Sequence, residues 1–145
     1  MSRALYRIGA ALIVLLDFGH SSGYPWSDPA WGVDLHAIQS SHFNVLGSSR
    51  TYWYFYVGFG LSVSVLLLLP AITAWQLGNA SAQDPQRRIT AWVLVLSFAA
   101  ITLLDCMFFF IIPIVLSAAI TLCLITATLL SPSATRTAST HSAKR

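Results

Sequence analysis

Asp17 and His20 stand three positions apart in the first apolar stretch of the chain. On a helix that spacing is one turn, so the two side chains can meet on one face. A carboxyl group beside an imidazole can bind and release a proton, which is the chemistry of an acid/base pair. The same spacing also suits a polar clasp that holds two helices together. Counted from Arg7, Asp17 lies about 15 Å along a helix axis. A charge at that depth in hydrocarbon costs several kcal/mol unless it is paired or neutralised. Asp17 is therefore expected to face other helices, with His20, Arg50 or a neighbouring hydroxyl as partner.

Three further residues could join a site at the same end of the molecule. Arg50 with the hydroxyl of Tyr52 offers a fixed cation and a donor to an anion such as a phosphate or carboxylate. Asp105 is placed near the end of a later apolar segment. Asp17, His20, Arg50, Tyr52 and Asp105 thus form the candidate ligand-binding set. No metal is expected, because the chain has a single D-x-x-H, and His36 and His42 are six apart and share no helix face. No cofactor is expected either. Gly58-Phe59-Gly60 lacks the third glycine of a dinucleotide fingerprint, and P-loop, G-x-S-x-G and H-E-x-x-H patterns are absent. Cys106 and Cys123 form no C-x-x-C and read as small buried hydrophobes rather than a thiol relay.

The elements that must position these residues follow from composition. Hydrophobic residues make up 56% of the chain and charged residues 9%. A soluble domain carries about 25% charged residues, so this chain has too few charges to cover a water-facing globule. The basic residues are spread among helix ends, which argues against a nucleic-acid surface. Spans are expected at about 4–20, 52–77, 88–108 and 112–130. The last two come from one apolar run, Ile89 to Leu130, which as a single helix would be about 63 Å long against a hydrocarbon core of about 30 Å. It must fold back, and the turn belongs near Phe108–Pro113, because proline suits the first turn of a new helix. Aromatics at Tyr52 to Tyr56 and Trp75 mark the two interfaces of the second span, and Pro70 should kink it. Gly58/Ser62 and Gly60/Ser64 are small pairs four apart that allow close helix approach.

Between the first two spans, Asp28-Pro29 reads as a helix start. Trp31, Leu35, Ile38 and His42 recur at helical spacing, which suggests a short amphipathic helix on the membrane surface. A cleaved signal peptide is the competing reading of the first apolar segment, which is taken here as a span. Residues 131–145 are Ser/Thr/Ala-rich and basic, the composition of a disordered tail. The expected architecture is therefore all-α: one membrane domain over 1–130, a four-transmembrane-helix bundle. Arg3, Arg7, Arg87, Arg88, Arg136, Lys144 and Arg145 fall on one side and Arg50 alone on the other. That asymmetry places both termini in the cytoplasm.

The run His42-Phe43 to Gly47, Ser49-Arg50-Thr51-Tyr52-Trp53 and Phe55-Tyr56-Val57-Gly58-Phe59-Gly60-Leu61 carries a family resemblance. So do Gly19-His20, Asp28-Pro29, Trp31-Gly32-Val33-Asp34 and Ala74-Trp75-Gln76-Leu77-Gly78. Over most of residues 5–130 the chain resembles a family of small uncharacterised bacterial four-helix integral membrane proteins. Tyr54 stands where that family often has an acidic residue, so no acid/base role transfers to it. The resemblance implies the bacterial inner membrane and no particular activity. The leading expectation is a non-enzymatic accessory subunit or a binder of a lipophilic molecule. The alternatives are an enzyme acting on a quinone- or sterol-like substrate through Asp17 and His20, and a small oligomeric carrier. Partners in these readings are membrane lipids, a lipophilic small molecule, a membrane protein or a second copy of the chain.

Overall fold

A computed structural model describes residues 1–22, 34–81 and 84–131, apart from the side chain of Pro85. In chain order it contains α1 (Ser2–Ser22), α2 (Leu35–Ser40), β1 (His42–Val45), β2 (Ser48–Thr51), α3 (Tyr52–Asn79), α4 (Pro85–Phe108) and α5 (Ile111–Leu129). Four of these helices, α1, α3, α4 and α5, are long and apolar enough to cross a membrane. They run alternately up and down. Tyr6 of α1 meets Thr128 of α5, Ser21 of α1 meets Ser64 of α3, and Thr102 of α4 meets Thr121 of α5. α1 packs chiefly on α3 and α5, α4 packs on α5, and α3 and α4 touch only lightly.

The enclosed core is narrow, with Tyr6, Ile13, Phe98, Ile120 and Leu124 at its centre. Outside it the usual polarity of a folded protein is reversed. Val65, Leu69, Ile72, Leu96, Leu103 and Leu122 are all exposed on the outer faces of the helices. Water would penalise that surface, whereas lipid would solvate it, which is consistent with a multi-pass membrane protein.

The fold-back falls where the apolar run was too long to stay single. α4 ends at Phe108, the Phe109 N–H closes it on the Asp105 carbonyl, and α5 begins at Ile111 with Pro113 in its first turn. α4 starts at Asp84, whose carboxylate accepts from the Gln86 N–H at 2.9 Å, with Pro85 at the first helical position. α3 runs unbroken through Pro70.

The fold is all-α in class, as expected, and the loop between α1 and α3 adds one short hairpin to it. The surface helix exists but is only Leu35–Ser40, it buries no residue, and its N-cap is Asp34, which accepts from Ala37 N–H. Asp28, Pro29 and Trp31 lie outside the described residues, as does the tail after Ser131. His42 is not on that helix. It opens an antiparallel hairpin in which His42 pairs with Thr51 and Phe43 with Arg50. The reversal uses Leu46 at φ 49° and Gly47 at φ 80°. Two left-handed residues in a row match the right-handed twist of a tight hairpin. Thr51 ends β2 and also caps α3, its Oγ1 accepting from the Tyr54 N–H at 3.2 Å. The hairpin is thereby joined rigidly to the second span.

Candidate functional site

The bundle has two distinct ends. One carries the hairpin and the α4–α5 turn. The other carries Arg3, Arg7, Arg87 and Arg88. The five candidate residues all lie toward the hairpin end, but in three separate places.

Asp17 and His20 sit in the seam between α1 and α3. The Ser21 hydroxyl donates to Asp17 Oδ1 at 3.3 Å, and Ser21 Oγ lies 2.7 Å from Ser64 Oγ of α3. Ser64 Oγ is also within 3.4 Å of the Gly60 carbonyl. Each serine hydroxyl carries one proton, so two protons serve three contacts. The arrangement that keeps the short contact and gives the carboxylate a donor is Ser64 to Ser21 to Asp17. Across the same seam His20 Nε2 is 3.1 Å from the Gly60 carbonyl. A carbonyl only accepts, so Nε2 carries the proton in this contact. Gly60 and Ser64 are the small pair that lets α1 come this close. The other pair faces away from the bundle: Gly58 has open space where a Cβ would be, and Ser62 is exposed. These contacts tie Asp17 and His20 into a polar clasp across two helices.

Arg50 and Tyr52 are further out. Tyr52 is eight residues before Gly60 on α3, about 12 Å along the axis. Its ring packs on Phe43 at 5.0 Å, and Phe43 also meets Phe55 at 5.1 Å, so the hairpin is pinned to the start of α3 by aromatic contact. Arg50 is exposed, with its guanidinium on the Ser49 carbonyl at 2.8 Å.

Asp105 stands apart on α4. It is 8% exposed, and its Oδ2 is the one fully enclosed side-chain nitrogen or oxygen without a hydrogen-bond partner among the described residues. One turn below it, Thr102 Oγ1 and Thr121 Oγ1 lie 3.0 Å apart. That antiparallel register sets Asp105 level with Ser117 of α5, which is wholly buried and donates to the Ile114 carbonyl. The α1–α5 register, from Tyr6 on Thr128 and Gly9 against Leu124, brings Asp17 to the same level. The two acids within the long apolar helices therefore flank α5 in one layer. Ordinary sequence signals mark Asp105 as an acid in a span, but its lack of a partner appears only in the packed structure.

No cluster of three or more metal-ligating side chains occurs among the described residues. Cys106 is exposed and Cys123 half-buried, and both are free thiols. No protein-family model, curated protein or solved structure matches the chain.

Proposed function

We propose that the protein is a non-enzymatic multi-pass protein of a bacterial inner membrane with both termini cytoplasmic. It acts by binding the polar end of a lipophilic molecule near the hairpin end, alone or as an accessory subunit of a larger assembly. The observation that carries this reading is Asp105 Oδ2. A buried acceptor is normally matched, and leaving one unmatched costs about 1–3 kcal/mol, more for a charged group. Such an atom is retained where something else supplies the donor, and because Oδ2 is enclosed a ligand reaches it by displacing the side chains that cover it. A carboxylate oxygen accepts, so the ligand end is a hydroxyl or a protonated amine rather than a carbonyl alone. The seam contacts favour binding over catalysis, since Asp17 and His20 Nε2 are engaged in joining α1 to α3.

Gentle extraction followed by mass spectrometry of co-purifying lipids and proteins tests the proposal. Wild-type protein is expected to carry a lipophilic hydroxyl- or amine-bearing species at about one per chain. Asp105→Asn should lose about tenfold of it, the equivalent of one charge-assisted hydrogen bond. Asp17→Asn should retain it. A wild-type protein with no such species and no stable protein partner would overturn the reading, as would equal retention by Asp105→Asn.

A further inference from the structure

The arginine end of the bundle contains a second unbalanced charge. Arg87, in the first turn of α4, is only 7% exposed. A buried cation needs compensation, usually from a carboxylate. Among the described residues its two partners are uncharged. Its Nε donates to the Leu77 carbonyl at 3.3 Å, in the last turn of α3. Its guanidinium carbon lies 5.5 Å over the ring of Tyr6. The helix C-terminus supplies partial negative charge, and the ring face supplies more. Tyr6 is itself fixed. Thr128 gives its proton to the Leu124 carbonyl at 2.7 Å, so the Tyr6 hydroxyl must donate to Thr128 Oγ1 at 3.0 Å.

These contacts hold the Nε and one face of the guanidinium. Among the described residues the two terminal nitrogens have no hydrogen-bond partner, and they are not fully enclosed. The result is a fork with unfilled donors, incompletely enclosed, on a stem held by Leu77 and Tyr6. Arg forks of this kind match phosphate oxygens two at a time. The surroundings are strongly basic. Arg3, Arg7 and Arg88 are exposed at the same end, and the acid nearest in sequence, Asp84, is used as the cap of α4. Depth is marked by Trp75, which is half exposed and stacks under the Arg7 guanidinium at 5.3 Å. Aromatic residues of that kind sit at the headgroup level. From Arg87 toward the membrane centre, Ile89 and Val93 of α4 present exposed apolar surface suited to acyl chains.

We infer that Arg87 holds the phosphate of an anionic phospholipid at the arginine end of the bundle, between the end of α3 and the start of α4. Basic pockets between spanning helices take such headgroups. The site is independent of Asp105, at the opposite end of α4, and stands whether or not a ligand binds there.

Native mass spectrometry of the full chain in detergent tests it. Phosphatidylglycerol and phosphatidylcholine of matched chains are added in turn, with inorganic phosphate as a third arm. Wild-type protein should retain one phosphatidylglycerol in about tenfold preference to phosphatidylcholine, whose phosphate is already paired with its own choline cation. Arg87→Gln should erase the preference. Arg88→Gln removes the same charge one residue away and should change it less than about twofold. If Arg87→Gln does not fold, Arg87→Lys against Arg88→Lys makes the same comparison, because lysine keeps the charge and loses the fork; only the first should weaken retention. Equal effects at 87 and 88, no preference in the wild type, or displacement of the lipid by millimolar phosphate would each overturn the inference.

Discussion

Replacing Asp105 by leucine should make the protein more stable while emptying its proposed site. The carboxylate is 8% exposed and its enclosed Oδ2 has no partner among the described residues. Removing an unmatched buried acceptor recovers about 1–3 kcal/mol. Leucine keeps the branched four-atom skeleton but its methyl groups are larger than the carboxylate oxygens, so overpacking offsets about 1 kcal/mol of that gain. The neighbouring Thr102–Thr121 contact does not involve Asp105 and should persist. The net expectation is a gain of about 1 kcal/mol, roughly a fivefold shift toward the folded state. The assay is reversible unfolding in mixed micelles, on protein stripped of co-purified lipid and read by helicity. Stripping matters, because a bound ligand would stabilise the wild type and hide the gain. A loss of about 1 kcal/mol or more would refute the reasoning, because it would mean that Asp105 is already matched in the ligand-free protein.

The Ser21–Ser64 contact should show coupling of about 0.6 kcal/mol in a Ser21→Ala/Ser64→Ala double-mutant cycle, the usual size for a hydrogen bond between spanning helices. A value near zero would remove the clasp. Leu46→Asn should stabilise the hairpin by roughly 1 kcal/mol, since asparagine tolerates the left-handed backbone that leucine strains to adopt; slower amide exchange across Phe43 to Arg50 would report it, and unchanged exchange would count against the turn. Reporter fusions after residue 82 and at residue 140 should read cytoplasmic and one at Gln39 external, as the distribution of arginine and lysine requires. A cytoplasmic signal at Gln39 would overturn that orientation.

The long helices were legible because their cause is local: each is an apolar run bounded by polar or turn-forming residues. The run from Ile89 to Leu130 could be divided by arithmetic alone, and Pro113 located the turn to within a few residues. The hairpin was not legible. Its turn carries Leu46 in the first left-handed position, where asparagine or aspartate would have signalled it, and its strands are four residues each. The spacing of Leu35, Ile38 and His42 points to a helix that includes His42, whereas α2 is Leu35–Ser40 and His42 opens β1. At the candidate site, the sequence marked the acids and the close-approach pair Gly60/Ser64, but it could not say which partner each side chain takes. Asp17 and His20 share a face by spacing, yet Asp17 turns to Ser21 and His20 Nε2 to a carbonyl on α3. Such choices depend on helix register, which single-sequence periodicity does not encode.

The position of α1 bears on the competing reading of the first apolar segment as a cleaved leader. A leader's apolar core is discarded and has no place in the packed protein. Here α1 lies between α3 and α5 and contributes Tyr6, Ala10 and Ile13 to the core, each at most 4% exposed. The fit is close at both flanks. A Cβ on Gly9 would come within 3.2 Å of Leu124, and one on Gly78 of α3 would come within 3.2 Å of the Arg3 carbonyl. Tyr6 also provides the ring under Arg87, and Ser21 the contact to Ser64. Without α1, Ile120 and Leu124 would lose a packed face, Arg87 would lose one of its two partners, and α3 would have only light contact with α4. In a bilayer, where no hydrophobic drive gathers helices, such close packing is the main cohesive term. The expected outcome is that intact-mass measurement on membrane-extracted protein finds α1 attached. A mass lacking about the first 20 residues, the length of a leader, would refute this and leave three spans that must pack differently.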